Sequence, residues 1–359
     1  MKIGILTFHC AHNYGAILQC FGLQEYLKSL GHDVYVIDYR PDYLTRGYKR
    51  HSFRDWICSN PLLTIQKLLN EPFLYKTRSK RYDNFDTFIK TKLRLYPYTK
   101  GMDFREFDAI FLGSDQIWEA PITDGKFDDV FFGVGAKCKV IAYAASNKTK
   151  KLTSREIEYY KEHLSKYAGI GVREITLQKL LANIFKKPIV HTVDPTILAG
   201  KLLIEGVENK RPIPQKYVLV YEVVEHKSVI EQAKQYAKMI EARVVILSAY
   251  INYNEKKLRD YVASPSEFVN YIRFAECVFT SSFHGTAISI ICNTDFYSFK
   301  QHNSSDLRIS SLLGVADLND RFVDMSDKLS IKHIDFSHAL QKLEKANEVS
   351  KEFIKESLA

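Results

Sequence analysis

Short apolar strands alternate with helical segments from the first residues of the chain, and this alternation most restricts the folds that it can adopt. Residues 2–8 have the pattern of a buried strand, 13–30 that of an amphipathic helix ending at Gly31, and 32–39 that of a second strand. A strand, helix, strand order is typical of a parallel α/β sheet with helices on its faces. The sequence therefore predicts an α/β fold.

The alternation continues in two blocks separated by the proline-containing segment 205–215, which lacks hydrophobic periodicity. We expect an N-terminal α/β domain over 1–205, with a helical insert rich in basic and aromatic residues at about 41–98, and a second α/β domain over 206–330. Residues 331–359 have helical spacing, and we expect this helix to fold back over the first domain. The predicted class is two Rossmann-like parallel-sheet domains that face a central cleft, with ligands between the carboxyl ends of the strands.

The most informative segment is an apolar strand at 277–280 that leads through a polar turn into an apolar helix. A helix start attracts anions through its free N–H groups, and a histidine beside the anion can exchange protons near neutral pH. The segment therefore predicts an anion-handling catalytic corner with His284 at its centre. The alternative is that His284 merely caps a helix. The candidate residues of this turn are Ser281, Ser282, Phe283, His284, Gly285 and Thr286.

Two turns in the first half follow strands and offer the opposite wall of the cleft. Asn13, Tyr14 and Gly15 close the first strand-to-helix turn, although Asn13 is equally well explained as a helix cap. Ser114, Asp115 and Gln116 follow another strand. Asp115 could accept a proton from an acceptor hydroxyl, and the rival interpretation is a capping aspartate on a tight turn.

Candidate cations for an anionic ligand are Arg173, Lys300 and Arg308. Arg173 follows a strand, so we expect its guanidinium at the mouth of the cleft, where its planar fork suits a carboxylate or phosphate. A surface ion pair is the alternative for Arg173, and a solvated charge for Arg308. Asp194 precedes Pro195 and Thr196, and a turn bonded to its own backbone would explain it fully.

Short segments along most of the chain also match one known family in residues and in order. They are NYGAILQ (13–19), FLGSDQIW (111–118), IAYAAS (141–146), GVRE (171–174), VDPTIL (193–198), KYVLVY (216–221), SPSEF (264–268), SFHGTAISI (282–290) and LRISSLLG (307–314). Together they resemble the polysaccharide pyruvyltransferase family. Two positions depart from its common pattern: His12 stands where a glycine is usual, and Ser282 where some relatives have arginine.

The resemblance implies transfer of an enolpyruvyl unit from phosphoenolpyruvate onto two sugar hydroxyls as a ketal. The expected product is a 4,6-ketal of galactose on a lipid-linked repeat unit of a capsule or exopolysaccharide, made at the cytoplasmic membrane face, with no cofactor beyond the donor. This chemistry needs acid/base groups and fixed cations, so we expect catalytic roles for His284, Arg173 and Asp115. The two-sheet pattern also resembles the glycosyltransferase B architecture, and a nucleotide-sugar glycosyltransferase or a non-catalytic saccharide-binding relative stays an alternative.

Composition and charge limit the partners. The net charge is +9, and basic residues are mixed with aromatics over about 43–82. This mixture fits peripheral contact with an anionic membrane surface, or a solvated helical insert; no nucleic-acid motif accompanies it.

No apolar run is long enough for a membrane span, and no cleavable leader is evident, so a cytoplasmic protein is expected. The six cysteines include no CxxC pair, and neither a disulfide framework, a metal site nor a nicotinamide cofactor is expected.

Overall fold

The computed structural model describes residues 1–48, 61–149, 151–224, 226–249, 259–260 and 262–359, with backbone alone at 61–74 and 259–260. Its strands form two separate parallel sheets, one in each half of the chain. The first sheet consists of β1 (Lys2–Leu6), β2 (Asp33–Asp38), β3 (Leu95–Pro97), β4 (Ala109–Leu112), β5 (Lys139–Ala145), β6 (Gly169–Val172) and β7 (Val190–His191). The second consists of β8 (Tyr217–Glu222), β9 (Arg243–Ser248), β10 (Arg259–Asp260), β11 (Cys277–Thr280), β12 (Phe296–Phe299) and β13 (Phe322–Val323).

Helices connect the strands and cover both sheets. In the first half they are α1 (Tyr14–Ser29), α2 (Asp42–Thr45), α3 (Pro61–Lys92), α4 (Ser154–Leu164), α5 (Ile175–Ala182), α6 (Pro195–Ala199) and α7 (Lys201–Glu205). In the second half they are α8 (Lys227–Met239), α9 (Pro265–Arg273), α10 (Phe283–Ile291), α11 (Asp306–Ala316) and the C-terminal α12 (Phe336–Leu358). Side chains fix several of their starts: Thr153 and Ser264 each form a capping box at the N-termini of α4 and α9.

Both sheets reverse their strand order beside the first strand of each half. The order is β3-β2-β1-β4-β5-β6-β7 in the first sheet and β10-β9-β8-β11-β12-β13 in the second. In such doubly wound sheets the crevice for a ligand opens outside the carboxyl ends of the two strands at the reversal. Here those strands are β1 and β4 in one sheet and β8 and β11 in the other. The predicted fold class, two Rossmann-like parallel sheets, is confirmed.

The C-terminal helix α12 packs on the first sheet. Ser350 accepts a hydrogen bond from the Val193 backbone N–H at 3.0 Å. The Phe353 ring lies against Gly169 and Gly171, where an added Cβ would stand 3.0 and 2.9 Å from it. The absence of side chains at these two strand positions therefore makes room for the helix.

The segment predicted as a helical insert differs from that expectation in two ways. It ends in a strand, and one of its basic residues is buried. Strand β3 forms there and pairs with β2. Arg81 is 6% exposed rather than on a basic surface. The basic and aromatic residues Lys49, Arg50, His51, Phe53, Arg54 and Trp56 lie outside the described residues, as do Cys58 and the side chain of Phe73.

Within the described part of the chain, no helix is long and apolar enough to cross a membrane. The five described cysteines, Cys10, Cys20, Cys138, Cys277 and Cys292, carry free thiols.

Candidate functional site

A cavity of about 390 Å³ opens where the carboxyl ends of the two sheets meet. Its polar lining comes mainly from the loops that follow β1, β4, β5, β11 and β12, and from the starts of α10 and α11. Among the polar lining residues are Asn13, Asp115, Gln116, Lys148, Ser281, Ser282, His284, Gln301, Ser305 and Arg308. The structure therefore brings residues from distant parts of the sequence together in one space, as expected for a cleft at the strand reversals.

His284 is the second residue of α10, directly after the turn that leaves β11. The Ser282 side chain caps this helix by accepting from the Gly285 N–H at 3.4 Å. His284 is 8% exposed and borders the cavity. Its Nε2 lies 3.6 Å from Asp194 Oδ2, longer than a hydrogen bond but close enough for the two charges to interact strongly in a buried site.

The other side of the imidazole packs against the start of α1. A Cβ built at Gly15 would stand 2.0 Å from His284 Nδ1, so only glycine allows the ring this close to the helix. Asn13 caps the same helix by accepting from the Gly15 and Ala16 N–H groups at 2.9 and 3.3 Å. Asn13 thus acts as the helix cap that the sequence allowed and also lines the cavity.

Arg173 lies behind His284 rather than at the cleft mouth, so the predicted position is wrong. Its side chain is 3% exposed and faces three carboxylates, those of Asp194 at 2.7 Å, Glu174 at 3.4 Å and Asp115 at 3.7 Å. Burial opposes its charge, but Glu174, Asp194 and Asp115 together raise the pKa of the guanidinium above its ordinary value. A single cation therefore lies among three acids, with hydrogen bonds to Asp194 and Glu174 and none from its buried Nη2.

Asp194 combines the structural role that the sequence favoured with contacts to the site. Its Oδ1 accepts from the Thr196 backbone N–H at 2.9 Å and hydroxyl at 2.8 Å, which forms the expected turn. Its Oδ2 accepts from Arg173 and faces His284. Burial would raise the pKa of this carboxyl, but the charges of His284 and Arg173 outweigh it and hold the pKa well below its ordinary value.

The residues after β4 divide between the cavity and the layer behind it. Asp115 lines the cavity with φ of 78°, a left-handed conformation that aspartate tolerates better than most residues. Gln116 also lines the cavity and donates to Glu119. Ser114 is fully buried; its hydroxyl donates to the Ala144 carbonyl at 2.9 Å and lies 3.4 Å from Asp194 Oδ2. Ser114 therefore supports the site from behind.

Several predicted binding residues do not border the cavity. Tyr14 donates from its hydroxyl to the Ala263 carbonyl at 2.8 Å, and its ring stacks on Phe268 at 4.3 Å, so it joins the two halves of the chain. Lys300 pairs with Asp324 at 2.7 Å, and the neighbouring Gln301 lines the cavity instead. Gly285 and Thr286 are buried inside α10, although Gly285 is required there because a Cβ would meet Thr280 Oγ1 at 2.4 Å.

Lys148 is a lining residue that sequence reasoning missed. It follows β5 by three positions, in the loop after the segment IAYAAS, and its position after a strand was the available signal. Burial, with a further contribution from the Arg308 charge, lowers the pKa of its ammonium. Burial and the Arg173 charge likewise lower the pKa of Arg308. Both cations therefore face the same partly enclosed space.

The second half of the chain contributes a buried acid, Glu222, that the sequence did not single out. Glu222 ends β8, and its Oε1 accepts from His226 Nδ1 at 2.9 Å and lies 3.2 Å from the Ser281 hydroxyl. Burial raises the pKa of this carboxyl, although His226 and Ser281 act against the shift. Glu222 thereby fixes the first residue of the turn that carries His284. Within the part of the chain that the structure describes, no group of acids, cysteines and histidines has the arrangement of a metal site.

The sequence of residues 13–303 matches the model of one protein family, described as polysaccharide pyruvyl transferase. This range contains every residue discussed above as a candidate for the site except Ser305 and Arg308. A comparison with curated protein sequences gave no significant match.

Solved structures with a similar fold include two UDP-N-acetylglucosamine 2-epimerases. UDP-N-acetylglucosamine 2-epimerase from Rickettsia bellii has a TM-score of 0.50 and 10% identity, covering 99% of this chain and 95% of that one. The corresponding epimerase from Methanocaldococcus jannaschii has a TM-score of 0.45 and 12% identity (97% and 92% covered), and Arabidopsis thaliana UGT89C1 a TM-score of 0.45 and 10% identity (100% and 99% covered). At these identities a likeness concerns the fold alone, and that of the Rickettsia bellii epimerase agrees with the expected glycosyltransferase-B-like architecture.

Proposed function

Because the chain belongs to the polysaccharide pyruvyl transferase family, we propose that it transfers the enolpyruvyl unit of phosphoenolpyruvate to two hydroxyls of one sugar as a ketal. The observation that carries the proposal is the placement of His284. The imidazole borders a polar cavity between the two sheets, at the start of a helix and next to a buried carboxylate. This is the arrangement that a proton-exchanging residue beside an anionic substrate requires.

The reaction moves two protons and breaks one bond to phosphate. Two sugar hydroxyls form C–O bonds to C2 of the donor, the C2–O bond to phosphate breaks, and the methylene carbon takes one proton to become methyl. The second proton leaves with phosphate. The site must therefore donate a proton to carbon, accept protons from hydroxyls, and stabilise the departing anion.

His284 is assigned the proton transfer to and from the donor. Asp194 Oδ2 lies 3.6 Å from Nε2, so a proton carried on that nitrogen points towards a carboxylate. The opposite nitrogen, Nδ1, lies beside Gly15 at the start of α1. We assign Nδ1 the exchange with the substrate, with Asp194 and Arg173 holding the ring from behind.

Asp115 is assigned to the acceptor. It is the acid that lines the cavity from the first sheet, and its side chain is 13% exposed, more than that of Glu174 or Asp194. An ionised carboxylate here can orient a sugar hydroxyl and accept its proton. The Arg173 guanidinium lies 3.7 Å from this carboxylate and attracts it.

The acceptor proposed is galactose in a lipid-linked oligosaccharide, modified at its 4 and 6 hydroxyls for capsule or exopolysaccharide synthesis at the cytoplasmic membrane face. The family's acceptor class, a polysaccharide, supports the coarse part of this proposal. The net charge of +9 favours a site of action near anionic substrates or an anionic surface.

Incubation of the purified protein with an acceptor oligosaccharide and labelled donors tests the proposal. Label from phosphoenolpyruvate should enter the oligosaccharide with equimolar release of phosphate, and label from nucleotide sugars should not. Transfer from a nucleotide sugar alone would instead assign a glycosyltransferase. Binding of the oligosaccharide without transfer from either donor would assign a saccharide-binding protein. The acceptor follows from mass spectrometry of the surface polysaccharide made with and without this protein.

A further inference from the structure

We propose that Lys148 and Arg308 form a two-cation receptor for the phosphate of the ligand, whereas Arg173 serves to hold the carboxylates of the site. The inference rests on the proposed function for the identity of the ligand as phosphoenolpyruvate. It assigns Lys148 a role for which the family segments gave no indication.

Arg308 is a cation without a partner in the described part of the chain. Its side chain extends from α11 to the cavity, and it also borders a 30 Å³ void that Arg173, Asp194 and Phe283 line. The buried Nε has no hydrogen-bond partner. The guanidinium carbon lies 6.0 Å from the centre of the Phe283 ring. A buried N–H group is rarely left without an acceptor, so an acceptor from a ligand is expected here.

Lys148 faces the same cavity from the other sheet. It is partly buried, and among the described residues its ammonium makes no hydrogen bond and no ion pair. Burial and the nearby Arg308 charge both act against its ionised form. Two unpaired cations that share one enclosed space repel each other, and a bound anion between them removes that repulsion.

Arg173 is in the opposite electrostatic situation. Its guanidinium already faces the carboxylates of Asp115, Glu174 and Asp194 within 3.7 Å, so this cluster has more negative than positive charge. A phosphate dianion would meet repulsion there rather than attraction. The positive charge available to it lies at Lys148 and Arg308, which stand on the cavity side of the cluster.

The two cations also come from both halves of the chain. Lys148 follows β5 of the first sheet, and Arg308 lies on α11 of the second half. An anion held by both would therefore join the two walls of the cleft next to His284, at the position where a leaving phosphate needs stabilisation.

Isothermal titration calorimetry at low salt tests the receptor, with phosphoenolpyruvate, inorganic phosphate and uridine diphosphate as separate probes. We expect Lys148→Gln and Arg308→Gln each to weaken binding of phosphoenolpyruvate about tenfold to a hundredfold, the loss of a hydrogen bond to a charged group. Matched controls are Lys201→Gln and Arg105→Gln, whose side chains are 86% and 64% exposed and whose affinities should stay unchanged. Thermal melting checks that each variant is folded; if Arg308→Gln is not, Lys148→Gln and Arg308→Lys decide the matter.

The outcomes separate the receptor from the donor. If both variants bind phosphoenolpyruvate with an affinity within about twofold of wild type, the receptor is overturned and the proposed function still stands. The wild-type protein could bind inorganic phosphate or uridine diphosphate but not phosphoenolpyruvate. If both variants then lose that binding, the receptor is supported and the proposed donor is overturned. Failure of the wild-type protein to bind any of the three anions overturns the receptor.

Discussion

His284 is the single residue on which the proposed chemistry depends most. The substitution His284→Ala should lower the turnover of enolpyruvyl transfer by roughly 10²–10⁴-fold, the usual contribution of a positioned acid or base. The fold should survive, because the ring borders a cavity and makes no hydrogen bond through its buried Nε2. Phosphate release and circular dichroism measure the two effects. The matched control is His333→Ala, at a side chain that is 84% exposed; near-normal turnover of His284→Ala would remove this residue from the mechanism.

Asp194→Asn should lower both activity and stability. The substitution leaves Arg173 and His284 without their shared carboxylate, and breaking a buried ion pair in this way costs about 3–5 kcal/mol in the free energy of unfolding. The free energy of unfolding of Asp194→Asn should also fall less than that of the wild-type protein as the pH is lowered. The pKa of Asp194 in the folded protein lies below its ordinary value of 3.8, so its contribution to stability is full above about pH 4 and is lost as the pH falls further.

Urea unfolding of wild type and Asp194→Asn over a range of acidic pH values checks this sign. The difference in unfolding free energy between the two proteins should be constant near neutral pH and should shrink below about pH 4. A difference that grows as the pH falls would contradict the depressed pKa.

At the residue scale, sequence reasoning placed His284, Asp115 and Asn13 at one cleft because each follows a strand of a parallel sheet. It put Arg173 at the wrong depth, because burial depends on which distant acids surround a side chain. Lys148 was missed for a related reason, because its loop carries no distinctive sequence pattern. Its place in the cavity depends on α11, which brings Arg308 to the same space.

At the scale of elements, the site depends on the close approach of two helix starts, those of α1 and α10. Gly15→Ala would place a Cβ 2.0 Å from His284 Nδ1, so the ring must move. We expect a loss of about 10²-fold in kcat/KM with little change in fold, since small displacements of catalytic groups are costly. Gly47→Ala is the matched control, because a Cβ there meets no atom within 4 Å. Equal activity of both variants would show that the packing of Gly15 on His284 is unimportant.

The sequence predicted the strands β1, β2 and β11 and the helix α1, and it allowed Asn13 as a helix cap, since these depend on local pattern. It did not predict β3, β10, β12 or β13 as strands. Three of these have two or three residues and lie at or near a sheet edge, where pairing with a neighbouring strand rather than local preference defines them.

At the scale of the whole molecule, we propose two domains, 1–205 and 206–330, joined by contacts through Arg81 and Tyr14. The Arg81 guanidinium donates to the Ala249 carbonyl at 2.8 Å in the second half and to the Tyr14 hydroxyl at 3.1 Å in the first. Helix α12, which follows the second domain, adds its own contact with the first sheet. The cleft geometry therefore depends on how these contacts fix the two sheets.

Arg81→Met should lower the free energy of unfolding by roughly 1–3 kcal/mol for each buried acceptor left unsatisfied. If the two domains unfold separately once this contact is weakened, calorimetry should also show a broader or divided transition. Arg105→Met, at an exposed arginine of the first half, is the control and should leave the transition unchanged. An unaltered melting profile of Arg81→Met would remove Arg81 from the domain contact.

The central claim is that the His284 site transfers an enolpyruvyl unit, and mass spectrometry of the product tests it most directly. The purified protein is incubated in D₂O with phosphoenolpyruvate and unmodified lipid-linked oligosaccharide from cells that lack the protein. We predict that the oligosaccharide gains one ketal-linked pyruvate per molecule of phosphate released, with one solvent deuterium in the new methyl group, and that His284→Ala forms this product roughly 10²–10⁴-fold more slowly. An oligosaccharide that stays unmodified while phosphoenolpyruvate remains intact, or that gains a sugar from a nucleotide sugar, would contradict the account.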